Sequence, residues 1–196
     1  VREVATRQRR YEEWMLPAPD TLPFIVEEGS RVWEHTTGSP EFLVARIGTA
    51  TQPLAMTLDE APIPALAQLD PVSASAAHRF VLTHDQVPDL PFGLDLGTCG
   101  RLEIVGDTVR GRGLARAIVA HLATFAAPED LQIAVIAAGT DLPYWEWAKW
   151  LPHAQSDSRT DAVGGARRIG SSWHEIEPLV VDIRSRGVAS GRGGTE

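Results

Sequence analysis

The sequence comprises 196 residues with a mass of 21.3 kDa; 43% of the residues are hydrophobic, 22% are charged, and the formal net charge at pH 7 is −8. This length suits one domain with a sizeable core. A groove that follows a nucleic-acid backbone needs clustered lysines and arginines, and Lys149 is the only lysine, so we expect no nucleic-acid partner. The single cysteine, Cys99, excludes an internal disulfide, and no apolar run approaches the roughly 20 residues of a membrane helix.

The first predicted element is a helix over residues 1–15, which carries charge on every face. Such a helix usually bridges parts of a protein, so we expect it to project away from the domain. Strand-forming residues predict a strand in EFLVARIG at 41–48. Asp70 and Pro71 are suited to the start of a helix, which predicts one in PVSASAAHRFVLTH. VPDLPFGLDLG at 87–97 is predicted to be a loop that enters a strand.

A strand, a helix and a second strand are predicted in the middle of the chain. RLEIV at 101–105 predicts a short strand, and LQIAVIAAG at 131–139 predicts a strand that is covered on both faces. The helix between them has a continuous apolar stripe formed by Leu114, Ala117, Ile118, His121, Leu122 and Phe125. This βαβ order predicts an α/β fold with three layers, a mostly parallel sheet and a right-handed crossover.

The strand-to-helix junction GDTVRGRG at 106–113 has the glycine spacing of a phosphate-binding loop, set by Gly106 and Gly111. In such a loop a lysine reaches the phosphates and a hydroxyl holds magnesium, but Arg112 and Gly113 occupy those positions. Three interpretations stay open: a plain structural turn, a weak anion or nucleotide site that includes Asp107, and a working hydrolase. The missing lysine and hydroxyl favour the turn.

Three of the six tryptophans lie in YWEWAKWLPHA at 144–154, which predicts a short helix that ends at Pro152. A short segment that is apolar all round is either packed deeply or covered by a partner. It is therefore a core anchor or a docking surface, since tryptophan is enriched in interface hot spots. The candidate interface residues are Trp145, Trp147, Trp150 and His153.

The C-terminal part begins with SDSRTDAVGG at 156–165, which predicts a loop. The following SSWHEIEPLVVDIRSRG admits two structures. PLVVDI alone predicts a strand ending at Asp182, where a nucleotide hydrolase would place its magnesium-binding carboxylate. Ser172 and Glu175 instead form the pattern of a capping box, and apolar residues follow at helical spacing, so a helix is the favoured interpretation.

Four segments together resemble one family: RVWEHTTGSPEFLVARIGTA from residue 31, DPVSASAAHRFVLTHDQVPDLP from residue 70, LARAIVAHLATFAAPEDLQIAVIAA from residue 114, and EWAKWLPH at 146–153. In order and spacing they are similar to EccC, the FtsK/SpoIIIE-type ATPases of the actinobacterial type VII (ESX) secretion system. The resemblance covers most of residues 10–187. It implies the module between the membrane-anchored stalk and the first ATPase domain, with a fold similar to a P-loop ATPase whose nucleotide site is degenerate.

The resemblance also implies an organisation and a role. Residues 1–16 would end the stalk helix, residues 17–187 would form the ATPase-like domain, and residues 188–196 would be a flexible tail. We expect the sequence to be a fragment of a larger protein. The role would be structural coupling in protein export at the cytoplasmic face of the cell membrane. No catalytic residue or cofactor is expected, with ATP and magnesium at residues 106–113 as the alternative.

Expected partners are other type VII secretion subunits, the adjoining ATPase domains and further copies of the chain. Two alternative functions stay open. One is a weak ATP-binding or ATP-hydrolysing domain that uses Arg112, with Asp107 or Asp182 for the metal. The other is a recognition module for secreted helical pairs that depends on Trp147 or Trp150.

Overall fold

The computed structural model describes residues 1–58, 71–162 and 164–180. Its α-helices are α1 (Arg2–Met15), α2 (Leu22–Glu28), α3 (Pro71–His84), α4 (Thr108–Phe125) and α5, which is described over residues 173–180; Leu142–Trp150 and Pro152–Ala154 form 3₁₀ helices. The strands are β1 (Val44–Pro53), β2 (Gln86–Asp95), β3 (Val135–Ile136), β4 (Gln155–Asp161), β5 (Gly164–Arg167) and β6 (Ile169–Gly170). The protein is therefore mixed α/β, as predicted. Among the described residues, no helix is long and apolar enough to cross a membrane.

The chain forms two compact units. Unit 1 comprises Val1–Phe24 and Leu43–His121, and unit 2 comprises Ile25–Phe42 and the residues from Leu122 onward. Asp70, Asp182 and the tail predicted at 188–196 lie outside the described residues. The predicted helices at α1, α3, α4 and α5 are confirmed within the described ranges.

Unit 1 is organised around an antiparallel ribbon of β1 and β2, in which Val44 lies opposite Asp95. The prediction of a loop in the first part of 87–97 was wrong, because β2 already begins at Gln86. Proline is tolerated here because a two-stranded ribbon consists of edge strands, whose outward-facing N–H groups are not needed for pairing. The core beside the ribbon contains Leu54, Val87 and Leu90.

Helix α1 packs on this ribbon, so the expectation that it projects away was wrong. The side chain of Gln8 donates to the carbonyl of Pro53 at 2.9 Å and accepts from the N–H of Ala55 at 2.8 Å. Val4 and Ala5 pack against the apolar core of the unit. The helix is polar over most of its surface, yet one small apolar face and a few long polar side chains suffice to bind the ribbon.

Unit 2 contains short strands that pair locally. β3 pairs with β6 in parallel, β4 pairs with β5 in antiparallel, and His35 forms an isolated parallel bridge with Ala126. The loop predicted at 156–165 is therefore largely a hairpin, whose polar strands lack the apolar alternation that would have indicated them. Phe125, Ile133, Val135, Ala154 and Ile176 supply the buried core.

The mostly parallel three-layer sheet is not what the described strands form. They make three two-stranded sheets, of which one is parallel and two are antiparallel. RLEIV is strand-like in composition, but residues 101–105 are exposed and form no strand, with Val105 88% exposed. β3 is also shorter than predicted, and Ile136 is exposed between the buried Val135 and Ala137. The composition of these segments favours strands, but a strand also needs a neighbouring strand with which to pair, and composition does not reveal that neighbour.

Candidate functional site

The segment at 106–113 is a tight turn followed directly by helix. Gly106 has a φ of 121°, a conformation that L side chains rarely adopt. Asp107 then caps α4, because its Oδ1 accepts a hydrogen bond from the N–H of Arg110 at 2.8 Å. The carbonyl of Asp107 accepts from the N–H of Gly111 at 2.8 Å, which closes the first turn of the helix. The sequence therefore builds a capped helix start at this position.

This geometry differs from that of a phosphate-binding loop. A phosphate loop turns successive backbone N–H groups toward the anion, but residues 108–110, which would form that loop, already lie inside α4. The carboxylate of Asp107 also lies at the helix N-terminus, where the helix dipole would otherwise favour a bound anion. A phosphate at this end would meet a negative charge that is already in place.

The described residues offer no alternative metal centre. No group of three or more His, Cys, Asp or Glu side chains among them could hold a metal ion. The candidate ligand Asp182 lies outside these residues, although the preceding residues 173–180 are helical, as the capping pattern predicted. Glu175 accepts hydrogen bonds from the N–H and the hydroxyl of Ser171 at 2.6 and 2.9 Å, which lower the pKa of its carboxyl group. This carboxylate therefore holds the start of a helix.

The tryptophan-rich segment forms a 3₁₀ helix, Leu142–Trp150, in which residues three apart lie on the same side. Tyr144, Trp147 and Trp150 therefore follow one another along one side. Trp150 is 73% exposed and Tyr144 is 47% exposed, whereas Trp147 is partly buried and stacks on Trp145 with ring centroids 6.4 Å apart. The segment is thus an anchor at one tryptophan pair and a surface at Tyr144 and Trp150, which we name the aromatic surface.

Charged groups lie beside the aromatic surface. The Lys149 Nζ is 5.8 Å from the centre of the Trp150 ring and 3.6 Å from a carboxylate oxygen of Glu146. A cation over an indole face is attracted to the ring, but an exposed ion pair of this kind adds little stability. The exposed indole is therefore flanked by polar groups, as hot-spot residues at protein interfaces commonly are.

His153, the fourth interface candidate, lies in the core of unit 2 and is 1% exposed. Its Nε2 is 2.8 Å from the carbonyl oxygen of Ala126, which makes Nε2 the protonated nitrogen of a neutral ring. The ring meets Trp33 edge-on, with the two centroids 6.4 Å apart. Burial lowers its pKa, against weaker raising effects of the Ala126 bond and of Glu129. His153 holds two segments together and presents no ring to a partner.

A second buried histidine, His35, was not singled out from the sequence. Its ring stacks on Phe125 with centroids 5.0 Å apart, and the guanidinium carbon of Arg31 lies 5.0 Å from the centre of the same phenyl ring. Arg31 also pairs with Glu34. Burial lowers the pKa of His35, although Glu34 and Glu41 raise it. Nothing in SRVWEHT distinguishes this histidine from an exposed one.

Arg168 is a further residue that sequence reasoning missed. It is 1% exposed, and its guanidinium donates to the side chain of Gln132 and to the backbone carbonyls of Gln155 and, at 3.2 Å, Leu179. Its backbone also bonds Ala154 and Val135. One side chain thus connects three segments of unit 2. The adjacent Arg167 is indistinguishable from it in sequence, so no sequence signal could have identified the buried one.

Comparison with known proteins identifies relatives along almost the whole chain. No family model matches it. The ESX secretion system protein EccC of Thermomonospora curvata is 36% identical over 189 residues, which are 96% of this chain and 14% of that protein. In Mycobacterium tuberculosis, the ESX-4 secretion system protein EccC4 is 34% identical over 90% of this chain, and the ESX-1 secretion system protein EccCa1 is 35% identical over 89%.

The matched region is a minor part of these relatives, because it covers 14% of EccC and EccC4 and 24% of EccCa1. The relatives agree with the resemblance that the four sequence segments indicated, and they extend it to about nine-tenths of the chain. The chain belongs to the EccC family of ESX secretion system proteins.

Proposed function

We propose that this chain is a non-catalytic coupling module of a type VII secretion motor, located at the cytoplasmic face of the membrane. It transmits conformational changes between the membrane-anchored part of the motor and its ATPase domains. The family membership supports a role in secretion, since the relatives are named as ESX secretion system proteins. Within the mixed α/β class, we propose an ATPase-like fold whose nucleotide site is degenerate.

The observation that carries this proposal is the capped turn at the start of α4. The Asp107 carboxylate satisfies the N–H of Arg110, and the residues that should cradle phosphates are helical. Position 113 is a glycine and has no hydroxyl with which to hold magnesium. A module that lacks these groups serves through its surfaces.

Calorimetry with ATP and magnesium tests the absence of a nucleotide site. We expect no binding heat at millimolar ATP for the unaltered chain, and the same result for Arg112→Ala. The rival ATP-binding domain predicts micromolar affinity that Arg112→Ala abolishes. Phosphate release by the purified chain, lost when Gly106 or Arg112 is altered, would likewise establish the rival.

The aromatic surface is the contact that we propose for the adjoining parts of the motor. Trp150 is the most exposed residue of the tryptophan cluster, and burying such an indole contributes strongly to association. Trp150→Ala should weaken binding of the chain to the adjoining ATPase domains or to other secretion subunits by at least about tenfold. Trp14→Ala is the matched control, because it removes an indole that is 59% exposed on α1.

The exposed Trp150 also favours the second candidate function, recognition of secreted helical pairs, in which an apolar helix face would cover the indole. Biolayer interferometry with a purified exported pair distinguishes the two. Binding to the exported pair that Trp150→Ala removes, without any binding to motor subunits, would replace coupling by substrate recognition. Equal effects of Trp150→Ala and Trp14→Ala would exclude the aromatic surface from both roles.

A further inference from the structure

Unit 1 contains an open cavity of about 420 Å³ between the first turns of α1, the end of α3 and the beginning of β2. It is distant in sequence from both the 106–113 turn and the aromatic surface. Its base is apolar and is formed by Leu54, Val87 and Ala5, of which the first two are buried. A cavity of this size accommodates a few side chains of a bound segment.

Two arginines border this apolar base. Arg2 and Arg9 line the cavity together with His84, and none of the described aspartates and glutamates does. The Arg9 guanidinium donates to the carbonyl oxygens of Pro88 and Asp89 at 2.7 and 2.8 Å, so neutral acceptors fix it in place, and it forms no ion pair with another described residue. The Arg2 side chain forms no ion pair or hydrogen bond with any other described residue.

This positive rim stands out because the whole chain carries a net charge of −8. An acidic ligand is repelled by the net charge of the chain and attracted by the two arginines of this rim, which favours binding at the cavity. The apolar base distinguishes the cavity from a site for a small inorganic anion, since such a site is lined by polar donors throughout. The occupant therefore needs both an anionic group and an apolar side chain.

We propose that the cavity binds an acidic peptide segment of another protein, with one aliphatic side chain on the Leu54–Val87 base and a carboxylate between Arg2 and Arg9. His84 borders the same rim, where its Nδ1 donates to the carbonyl oxygen of Phe80 at 2.9 Å. This site is additional to the proposed coupling function and does not depend on it.

Fluorescence anisotropy with short labelled peptides tests the proposal on the 196-residue chain. The probe is a peptide in which glutamate alternates with leucine; matched peptides replace every glutamate by lysine or every leucine by serine. We expect the glutamate–leucine peptide to bind and each replacement to weaken binding by at least about tenfold, because one removes the charge complementarity and the other the apolar anchor.

The key variant is Arg2→Glu, because Arg2 is exposed and its side chain supports no described contact, whereas substitution of Arg9 would also release two carbonyls. Arg2→Glu should weaken binding of the glutamate–leucine peptide by about tenfold or more. Arg10→Glu makes the same charge change on α1 outside the cavity and should leave affinity within about twofold.

Any of four results would overturn the proposal. An equal loss of peptide affinity in Arg2→Glu and Arg10→Glu would indicate non-specific attraction to the helix. So would binding of the serine-substituted peptide as tight as that of the glutamate–leucine peptide. Binding of inorganic phosphate that Arg2→Glu abolishes, without binding of the glutamate–leucine peptide, would assign the cavity to small anions instead. Failure of the peptide to bind at all would also refute the site.

Discussion

The start of α4 depends on two consecutive residues, Gly106 and Asp107. Gly106 supplies a φ of 121°, and Asp107 supplies the carboxylate that accepts the Arg110 N–H. A β-carbon at Gly106 would meet no atom within 4 Å, so the reason for glycine there is the backbone conformation and not space. The glycine that suggested a phosphate loop thus has a conformational role of its own.

Substitution at Asp107 separates the effect of the helix cap from that of the negative charge. Asp107→Ala should lower the free energy of unfolding by about 1 kcal/mol, because it leaves the Arg110 N–H without its acceptor. Asp107→Asn should change it by only a few tenths of a kcal/mol, since asparagine caps nearly as well. Urea unfolding followed by circular dichroism measures both. Equal losses in the two variants would show that the negative charge, and not the cap, is what matters there.

At the scale of elements, Arg168 connects the segments of unit 2 that carry Gln132, Gln155 and Leu179. Arg168→Ala should lower the free energy of unfolding by about 3 kcal/mol or more, because several buried acceptors lose their donor together. Arg168→Lys should recover little, since an ammonium cannot reproduce the planar donor set of a guanidinium. Thermal unfolding compares them with Arg167→Ala.

Arg167 is the matched control because it is adjacent in sequence and more exposed; among the described residues its side chain contacts Asp161 at 3.8 Å and donates to the carbonyl of Gly165. Its removal should cost no more than about 1 kcal/mol. A loss in Arg167→Ala as large as that in Arg168→Ala would contradict the assignment of Arg168 as the connecting residue.

The elements that could be predicted from the sequence are those with local signals. The stripe ending at Phe125, the Ser172–Glu175 pattern and the family segments indicated α4, α5 and the EccC resemblance. Elements that depend on a distant neighbour could not be predicted in this way. RLEIV has strand composition and is unpaired, while the polar β4 pairs with β5 through its backbone. The cavity rim was also beyond prediction, because Arg2 and His84 meet only in the fold.

At the scale of the whole molecule, the two units have different spectroscopic reporters. Five of the six tryptophans lie in unit 2, and Trp14 lies in unit 1. Tryptophan fluorescence therefore follows mainly the unfolding of unit 2, whereas circular dichroism also follows α1, α3 and most of α4 in unit 1. Comparison of the fluorescence and circular dichroism transitions therefore compares the stability of unit 2 with that of unit 1.

The same unit contains the two buried histidines with lowered pKa values, His35 and His153. Burial disfavours the imidazolium form in the folded protein, so the unfolded chain takes up protons at a higher pH than the folded one. Stability from these groups is therefore complete above the ordinary histidine pKa of about 6.5 and is lost as the pH falls below it toward the folded-state values. The lowered pKa of Glu175 acts in the same direction at more acidic pH.

We expect the urea midpoint of the fluorescence transition to fall between about pH 7.5 and about pH 5.5, since buried neutral histidines must become charged while carboxylates such as Glu175 stay ionised in that range. The His35→Gln and His153→Gln double variant should flatten this dependence, because glutamine does not titrate and can still donate to the Ala126 carbonyl. His174→Gln, which replaces an exposed histidine on α5, should retain it. A slope that survives in the double variant and disappears in His174→Gln would place the titrating group outside the core of unit 2.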